Sequence, residues 1–584
     1  MTNAVLESGL LKEGNGHYAL AGAITALAIP ATLQDSLMAR LDRLGTVKGI
    51  TQIGATIGRQ FSYVLLQAVS QLDESTLQRE LGRLVEAEIV YQRGLPPQAY
   101  YFFKHVLIRD AAYESLLKST RQYYHQQIAQ VLEAQFPELA EAQPELLGHH
   151  YTEAGLPEQA VTYWQQAGER AVERSAQTEA IRHLTKGLEL VSTLPDTPAR
   201  LHRELSLQIT LGASLMATKG YAAQEVEHAY TRARELCQQV GETPQLFSVL
   251  RGLWAYYLTR MELHVAVELG AQILRLAQSV QSQSLLIRAH FALGQTFFHL
   301  GEFSAACTHV EDGITLFDPQ RRSRRAMPHP GLGCFCYVAW TLWYLGYPDQ
   351  GLTRIDEAVT LAQQIAHSFS LDYALNWAAA FHQFRREVRL TQERAEATMT
   401  LAKEQGFPYQ MAFGVILHGW TLAHQGQSQE GIAQVEQGLL AFRATGAEIL
   451  RPYFLALLAE LFGTTGEPEA GLTALAEALT LVDRTGERHY EAEIYRLKGE
   501  LLLQQSSNNH TEAETCFQHA IRIAQSQQAK SLELRAAVSL SRLWQHQGKR
   551  VEARELLAPV YGWFSEGFDT ADLQEAKALL EALA

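Results

Sequence analysis

The chain's most specific spacing of reactive side chains is Phe103, His105, Leu107, Arg109, Asp110 and Tyr113, the pattern F-x-H-x-L-x-R-D-x-x-Y. An imidazole follows directly on the aromatic run Tyr100–Phe103, with a guanidinium and a carboxylate about one helical turn further on. Other chemistries fail on spacing. Triphosphate handling needs G-x-x-x-x-G-K-[ST], whose backbone amides cradle phosphates while Lys neutralises them, and no such segment occurs. The paired acidic residues that would hold a catalytic metal after a strand cannot be placed before residue 30 either. His149 and His150 are adjacent on a helix and point to different faces, so they cannot share a metal as residues four apart could. The 21 histidines form no H-E-x-x-H, and no serine has a G-x-S-x-G setting. Cys334 and Cys336 make a lone C-x-C and read as buried thiols. No catalytic residue, cofactor or metal is therefore expected.

What positions the motif is a strand running straight into a helix, since apolar Val106, Leu107, Ala111, Leu116 and Leu117 recur at helical spacing after the aromatic run. Upstream, Pro30 opens a helix with Leu33, Leu37, Leu41 and Leu44 on one face. Further helices are predicted at 46–57, 61–69 and 74–87, and strands at 89–92 and 100–103 flank the turn Gly94-Leu95-Pro96-Pro97. Three helices and a two-stranded wing make a winged helix over 30–133. Ahead of it, in 1–29, a short helix-like piece is followed by a hairpin about Gly14-Asn15-Gly16, too small for a core of its own.

Beyond Glu133 strand signals disappear. A helix, tight turn, helix phrase at 153–160 opens a repeat whose turns fall at Gly220, Arg260, Gly301, Gly346, Val388, Gly426, Gly466, Asn509 and Gly548, 38 to 45 residues apart. Five residues past five of these turns stands a small residue, Ala306, Gly351, Gly431, Gly471 or Ala553, as close helix approach requires. Trp254, Phe297, Trp343, Trp420, Phe454 and Trp544 on successive first helices read as core between repeats. The period exceeds the ~34 residues of a tetratricopeptide repeat. The predicted class is mainly α, a small winged-helix domain followed by a tetratricopeptide-like α-solenoid superhelix over 134–584, closed by a cap at 558–584.

The His105 motif closely resembles the end of the winged-helix domain in signal-transduction NTPases with numerous domains, the class of plant disease-resistance proteins and apoptosome-type switches. There a histidine at the same junction reads the β-phosphate of bound ADP. The resemblance implies a nucleotide-state role for His105, with Arg109 and Asp110 matching the continuation, in the presence of an NTPase module. One departure is Val106, where an acidic residue often follows the histidine. The phrases Glu487-Arg488-His489-Tyr490-Glu491-Ala492-Glu493 and Gly567-Phe568-Asp569-Thr570 resemble the terminal repeats of a bacterial branch in which a class III nucleotide cyclase, an NTPase and such repeats share one chain. On that resemblance 1–29 is the end of an NTPase module. The lengthened repeat looks like the sensor of the bacterial maltose-regulon activator.

The expected function is a non-catalytic regulatory half, whose solenoid accepts a protein partner or small effector on its concave face and controls an NTPase or cyclase module in cis or in trans. A rival is a DNA-binding transcription regulator with a sensor solenoid. Charge disfavours it: the chain carries a net −14, and 30–133 holds eleven Lys/Arg against ten Asp/Glu rather than a basic face. The run Arg321-Arg322-Ser323-Arg324-Arg325 reads as a solvated loop. Without a signal peptide or an apolar run of membrane length, a cytoplasmic protein with no membrane contact is expected.

Overall fold

A computed structural model describes residues 11–14, 17–20, 45, 47–174, 176–241, 244–318, 330–365 and 367–584. The helix expected over 30–44, the helix-like piece near the start and the basic run at 321–325 lie outside them. The chain divides into two compact units, residues 1–170 with 185–194, and residues 171–184 with 195–584.

In the first unit β1 (Leu11–Gly14) and β2 (His17–Leu20) form the expected hairpin, Leu11 opposite Leu20. Then come α1 (Val47–Ile57), β3 (Gln60–Ser62), α2 (Tyr63–Ser70), α3 (Glu74–Glu86), β4 (Val90–Arg93) and β5 (Tyr100–Phe103). The sequence suggested a two-stranded wing, but the sheet has three antiparallel strands in the order β3-β5-β4. Three residues are too few to show strand periodicity; β3 exists because β5 offers it a free edge and Tyr101 stacks on Phe61, ring centroids 5.8 Å apart. Polar caps fix where the helices begin: Ser62 accepts from the Leu65 amide, and Asp73 from that of Thr76. Hydrogen bonds from Ser75 and Thr76 hold the Asp73 carboxyl down to about 2.

Next are α4 (Val106–Glu114), α5 (Lys118–Gln135), α6 (Pro137–Ala142), α7 (Pro144–Glu153), α8 (Pro157–Glu173) and α9 (Gln177–Val191). The core does not stop at Glu133. Val47, Leu66, Leu77 and Leu84 share one buried cluster with Ile128 and Leu132 of α5, Leu147 of α7 and Trp164 of α8.

The second unit is a tetratricopeptide-like α-solenoid, with no strand among its described residues. Its helices come in pairs: α10 (Pro198–Lys219) with α11 (Gln224–Val240), α12 (Leu246–Thr259) with α13 (Leu263–Val280), α14 (Gln283–Leu300) with α15 (Phe303–Thr315), α16 (Pro330–Leu345) with α17 (Pro348–Ile365), and α18 (Ser368–Phe384) with α19 (Val388–Gln405). The series continues with α20 (Pro408–His424) and α21 (Ser428–Ala444), α22 (Arg451–Thr464) and α23 (Pro468–Thr485), α24 (Glu491–Gln505) and α25 (His510–Ser526), then α26 (Lys530–His546) and α27 (Arg550–Tyr561). A last helix, α28 (Ala571–Ala582), packs on α26 and α27 through Leu573, Ala576 and Leu579.

The counted turns fall where the pairs bend, with one exception. Val388 begins α19, and the bend lies just before it at Arg386, which takes a left-handed φ of 62° as Met261 does between α12 and α13, where glycines supply it at Gly220, Gly301, Gly346, Gly426, Gly466 and Gly548. Small residues after the turns do bring helices together: a Cβ built on Gly431 would sit 2.5 Å from the Gly419 carbonyl oxygen. The six aromatics expected on first helices are all there.

First helices are buried far more completely than an open solenoid requires. On α16, Leu332, Cys334, Cys336, Tyr337, Val338, Ala339 and Trp340 are all 0% exposed. The cause is contact between pairs distant in sequence. The Glu448 amide ahead of α22 donates to the Thr259 carbonyl ending α12 (3.1 Å), and the Arg488 amide ahead of α24 donates to His299 at the end of α14 (2.8 Å). Ser531 of α26 likewise donates to the Trp343 carbonyl near the end of α16. Counting pairs from α10, these join the second to the seventh, the third to the eighth and the fourth to the ninth, so one superhelical turn stacks on the next five pairs on. Carbonyls that a helix end leaves without partners are satisfied by donors from the following turn.

Candidate functional site

At the junction in the first unit, His105 caps the start of α4 with extended backbone (φ −137°, ψ 141°), and its exposed side chain makes no capping bond to the helix. Arg109 and Asp110 pair with each other: the Arg109 Nε donates to Asp110 Oδ1 at 2.9 Å, and both side chains are about one-third exposed, at 35% and 30%. The three expected residues thus lie within the first two turns of one helix, with the imidazole outside the ion pair.

Tyr113, at the end of the motif, turns inward. Its hydroxyl lies 2.9 Å from His125 Nε2, and His125 Nδ1 lies 2.8 Å from His150 Nδ1. Burial pushes His125 down to about 4 and His150 well below its ordinary value, so both are neutral donors and acceptors within the core. His149 faces out while His150 is buried, as adjacent helical positions require. On α3, the helix that would enter a DNA groove, Arg79 and Arg83 both reach the buried Glu80, at 3.2 and 2.9 Å.

The second unit holds a polar centre that sequence reasoning did not find. His299, Glu487 and His489 are each at most 1% exposed, and one ligand-type atom from each lies within 4.8 Å of the others. His299 Nδ1 is 3.0 Å from Glu487 Oε1, and its Nε2 is 3.1 Å from the Tyr337 hydroxyl. Glu487 Oε1 also accepts from the Leu450 amide at 2.9 Å. Burial drives Glu487 up to about 7 and both histidines down to about 3.

Six residues on, Glu493 meets the opposite environment. Burial alone would raise it, but Arg496 at 2.8 Å and Arg535 at 3.4 Å hold it down to about 2. Arg535 continues to Asp572 of α28 at 2.9 Å and lays its guanidinium over Trp343, 5.0 Å from the ring centroid. Arg386, in the α18–α19 bend, reaches Glu575 at 2.8 Å. Both phrases singled out by resemblance therefore lie where turns of the superhelix meet, and Gly567 donates to Asp349 Oδ2 at 2.9 Å. The only sequence signal was that resemblance, since the partners His299, Tyr337, Asp349 and Phe384 are remote in the chain.

The inner face expected to receive a partner is filled here by the chain itself. Trp343 stacks on Phe384 at 5.0 Å, Phe384 meets Tyr453 at 5.5 Å, and Tyr453 meets Tyr490 at 4.9 Å. A cleft of about 440 Å³ lies instead among α23, α24 and α25, lined by Leu472, Leu479, Leu502, Lys498 and Glu512. No helix among the described residues is long and apolar enough to cross a membrane.

No family model matches the chain. An uncharacterized protein of Rhizobium meliloti (strain 1021) is 24% identical over 520 residues, 88% of this chain and 50% of that protein, so the chain spans about half the length of the curated relative it matches. Among solved structures it is similar to a Rap protein in complex with competence and sporulation factor (11% identity, TM-score 0.44, 67% of this chain and 99% of that one). It is also similar to a signal transduction ATPase with numerous domains carrying a tetratricopeptide repeat sensor, from Pyrococcus horikoshii (10% identity, TM-score 0.29, 96% and 68%), and to yeast Tom70 (12% identity, TM-score 0.31, 80% and 96%). At these scores the fold rests on the chain's own helix pairs.

Proposed function

We propose that this chain is the non-catalytic, cytoplasmic sensor half of a bacterial signal-transduction ATPase of the cyclase-linked branch. Helices α1 to α3 and the three-stranded sheet have the makeup of a winged helix, and β5 leads into α4 with His105 at the joint. The observation that carries the reading is the exposed His105 imidazole, which is not spent on capping its own helix and stands free to meet a nucleotide held by an NTPase module. Arg109 and Asp110, paired beside it, would fix the turn from which it projects.

The solenoid supplies the response. A protein or effector that binds differently to stacked and opened turns shifts the balance between them by no more than the difference in its binding energies. That difference, passed to the winged helix, would tell an NTPase module when to release ADP and so control a cyclase linked to it. DNA binding is the weaker reading, because both arginines of α3 are engaged with Glu80.

Reconstitution tests the proposal. An NTPase module encoded beside this chain and purified with it should retain ADP, and His105→Ala should speed ADP release at least about tenfold, a coupling of ordinary allosteric size. Equal release rates from the two complexes refute it.

A further inference from the structure

The geometry points to a metal site that the switch reading neither needs nor implies: His299, Glu487 and His489 bind a divalent first-row transition ion of the zinc class. Two imidazoles and one carboxylate are a zinc-type donor set. Glu487 Oε1 lies 3.0 Å from His299 Nδ1 and 3.4 Å from His489 Nδ1. Donors about 2.0–2.1 Å from a tetrahedral ion stand about 3.4 Å from one another, so the three side chains close around an ion with small adjustment.

Burial turns this from a coincidence of positions into a site. A carboxylate and two imidazoles in a dry interior need partners. Yet Glu487 Oε2 and both ring nitrogens of His489 have no hydrogen-bond partner. A cation supplies what they lack: a lone pair from His489 and one or both oxygens of Glu487 go to the ion. The surroundings suit ligation as well. With Nε2–H of His299 donating to the Tyr337 oxygen, Nδ1 turns its lone pair to the centre, which is how metal-bound histidines are held in orientation.

The site joins α14 to the loop ahead of α24, positions 188 apart in the chain, at the contact where the Arg488 amide bonds the His299 carbonyl. The ion would therefore staple one superhelical turn to the next. Because all three ligands are buried, uptake must accompany closure of the turns, and release must await their opening.

Chain folded with zinc and then dialysed should carry about one equivalent by elemental analysis, and folding with cobalt(II) should give the visible absorption of a tetrahedral ion. Glu487→Gln and His489→Gln should each weaken binding at least about tenfold. A second cluster, His290, His309 and Asp312, is only half-buried and serves as the control: His309→Gln should leave metal content and the cobalt spectrum unchanged. Metal retained by both centre variants, metal lost in His309→Gln, or a wild-type chain holding less than about a tenth of an equivalent overturns the assignment. Should the centre variants fail to fold, His309→Gln alone decides, since a surviving cobalt spectrum supports the buried site and a vanished one refutes it.

Discussion

Arg535 donates through its guanidinium to the main-chain carbonyl of Phe384, 151 positions earlier. That bond sets a cation at the C-terminal end of α18, where helix dipoles favour positive charge, and joins two superhelical turns. With Glu493 of α24 and Asp572 of α28 as its acidic partners, Arg535 links α18, α24 and α28.

Replacing Arg535 by Ala should therefore destabilise the second unit by about 3–5 kcal/mol, because two buried carboxylates lose a shared cation. Urea unfolding would measure it. A loss below about 1 kcal/mol would mean that the network contributes little to holding the turns together.

Asp372 of α18 is buried, and burial pushes its carboxyl up from the ordinary 3.8 to about 7 against a weaker opposing effect from Thr398. The folded chain thus holds this proton more tightly than the unfolded chain. Its contribution to stability is complete below the unfolded value of 3.8 and is lost as pH rises through about 7. Asp372→Asn should flatten the fall in urea midpoint between about pH 4 and pH 7; parallel curves for the two proteins would exclude the effect.

Gly431→Ala should separate α20 from α21, because the added Cβ would meet the Gly419 carbonyl at 2.5 Å and the Ala423 amide nitrogen at 2.8 Å, both unyielding backbone atoms. A cost of about 1–3 kcal/mol in thermal or urea unfolding is expected. An unchanged midpoint would show that the pair can part without penalty.

Arg79 and Arg83 are held by Glu80, so gel-shift titration at low salt should show only weak binding to duplex DNA. Tight binding that falls steeply with salt would restore the transcription-regulator reading.

Local pattern made much of this fold legible. The strand Tyr100–Phe103 announced itself by its aromatic run, and Gly220, Gly301, Gly346, Gly426, Gly466 and Gly548 marked bends because each takes a positive φ. The bend at Arg386 was counted two residues late, at Val388, because an arginine adopts the conformation there, and β3 went unseen because three residues carry no period. Nothing local could show the filled interior. His299 and Glu487, or Phe384 and Arg535, meet only because pairs four to five apart stack as successive turns, and that pitch follows from small rotations summed over many helix pairs. His105, Arg109 and Asp110 fall within the first two turns of one helix, whereas the buried centre had no signature beyond a resemblance in the phrase around Glu487.

Stacked turns leave one mark that an open solenoid would lack. The amides of Glu448 and Arg488 lie in loops, yet donate to carbonyls of helices five pairs away. Native-state hydrogen exchange should find both protected to the level of neighbouring helix interiors, opening only when the turns part or the unit unfolds. Exchange at the rate of ordinary surface loops would contradict the stacking on which the sensor reading and the metal staple both depend.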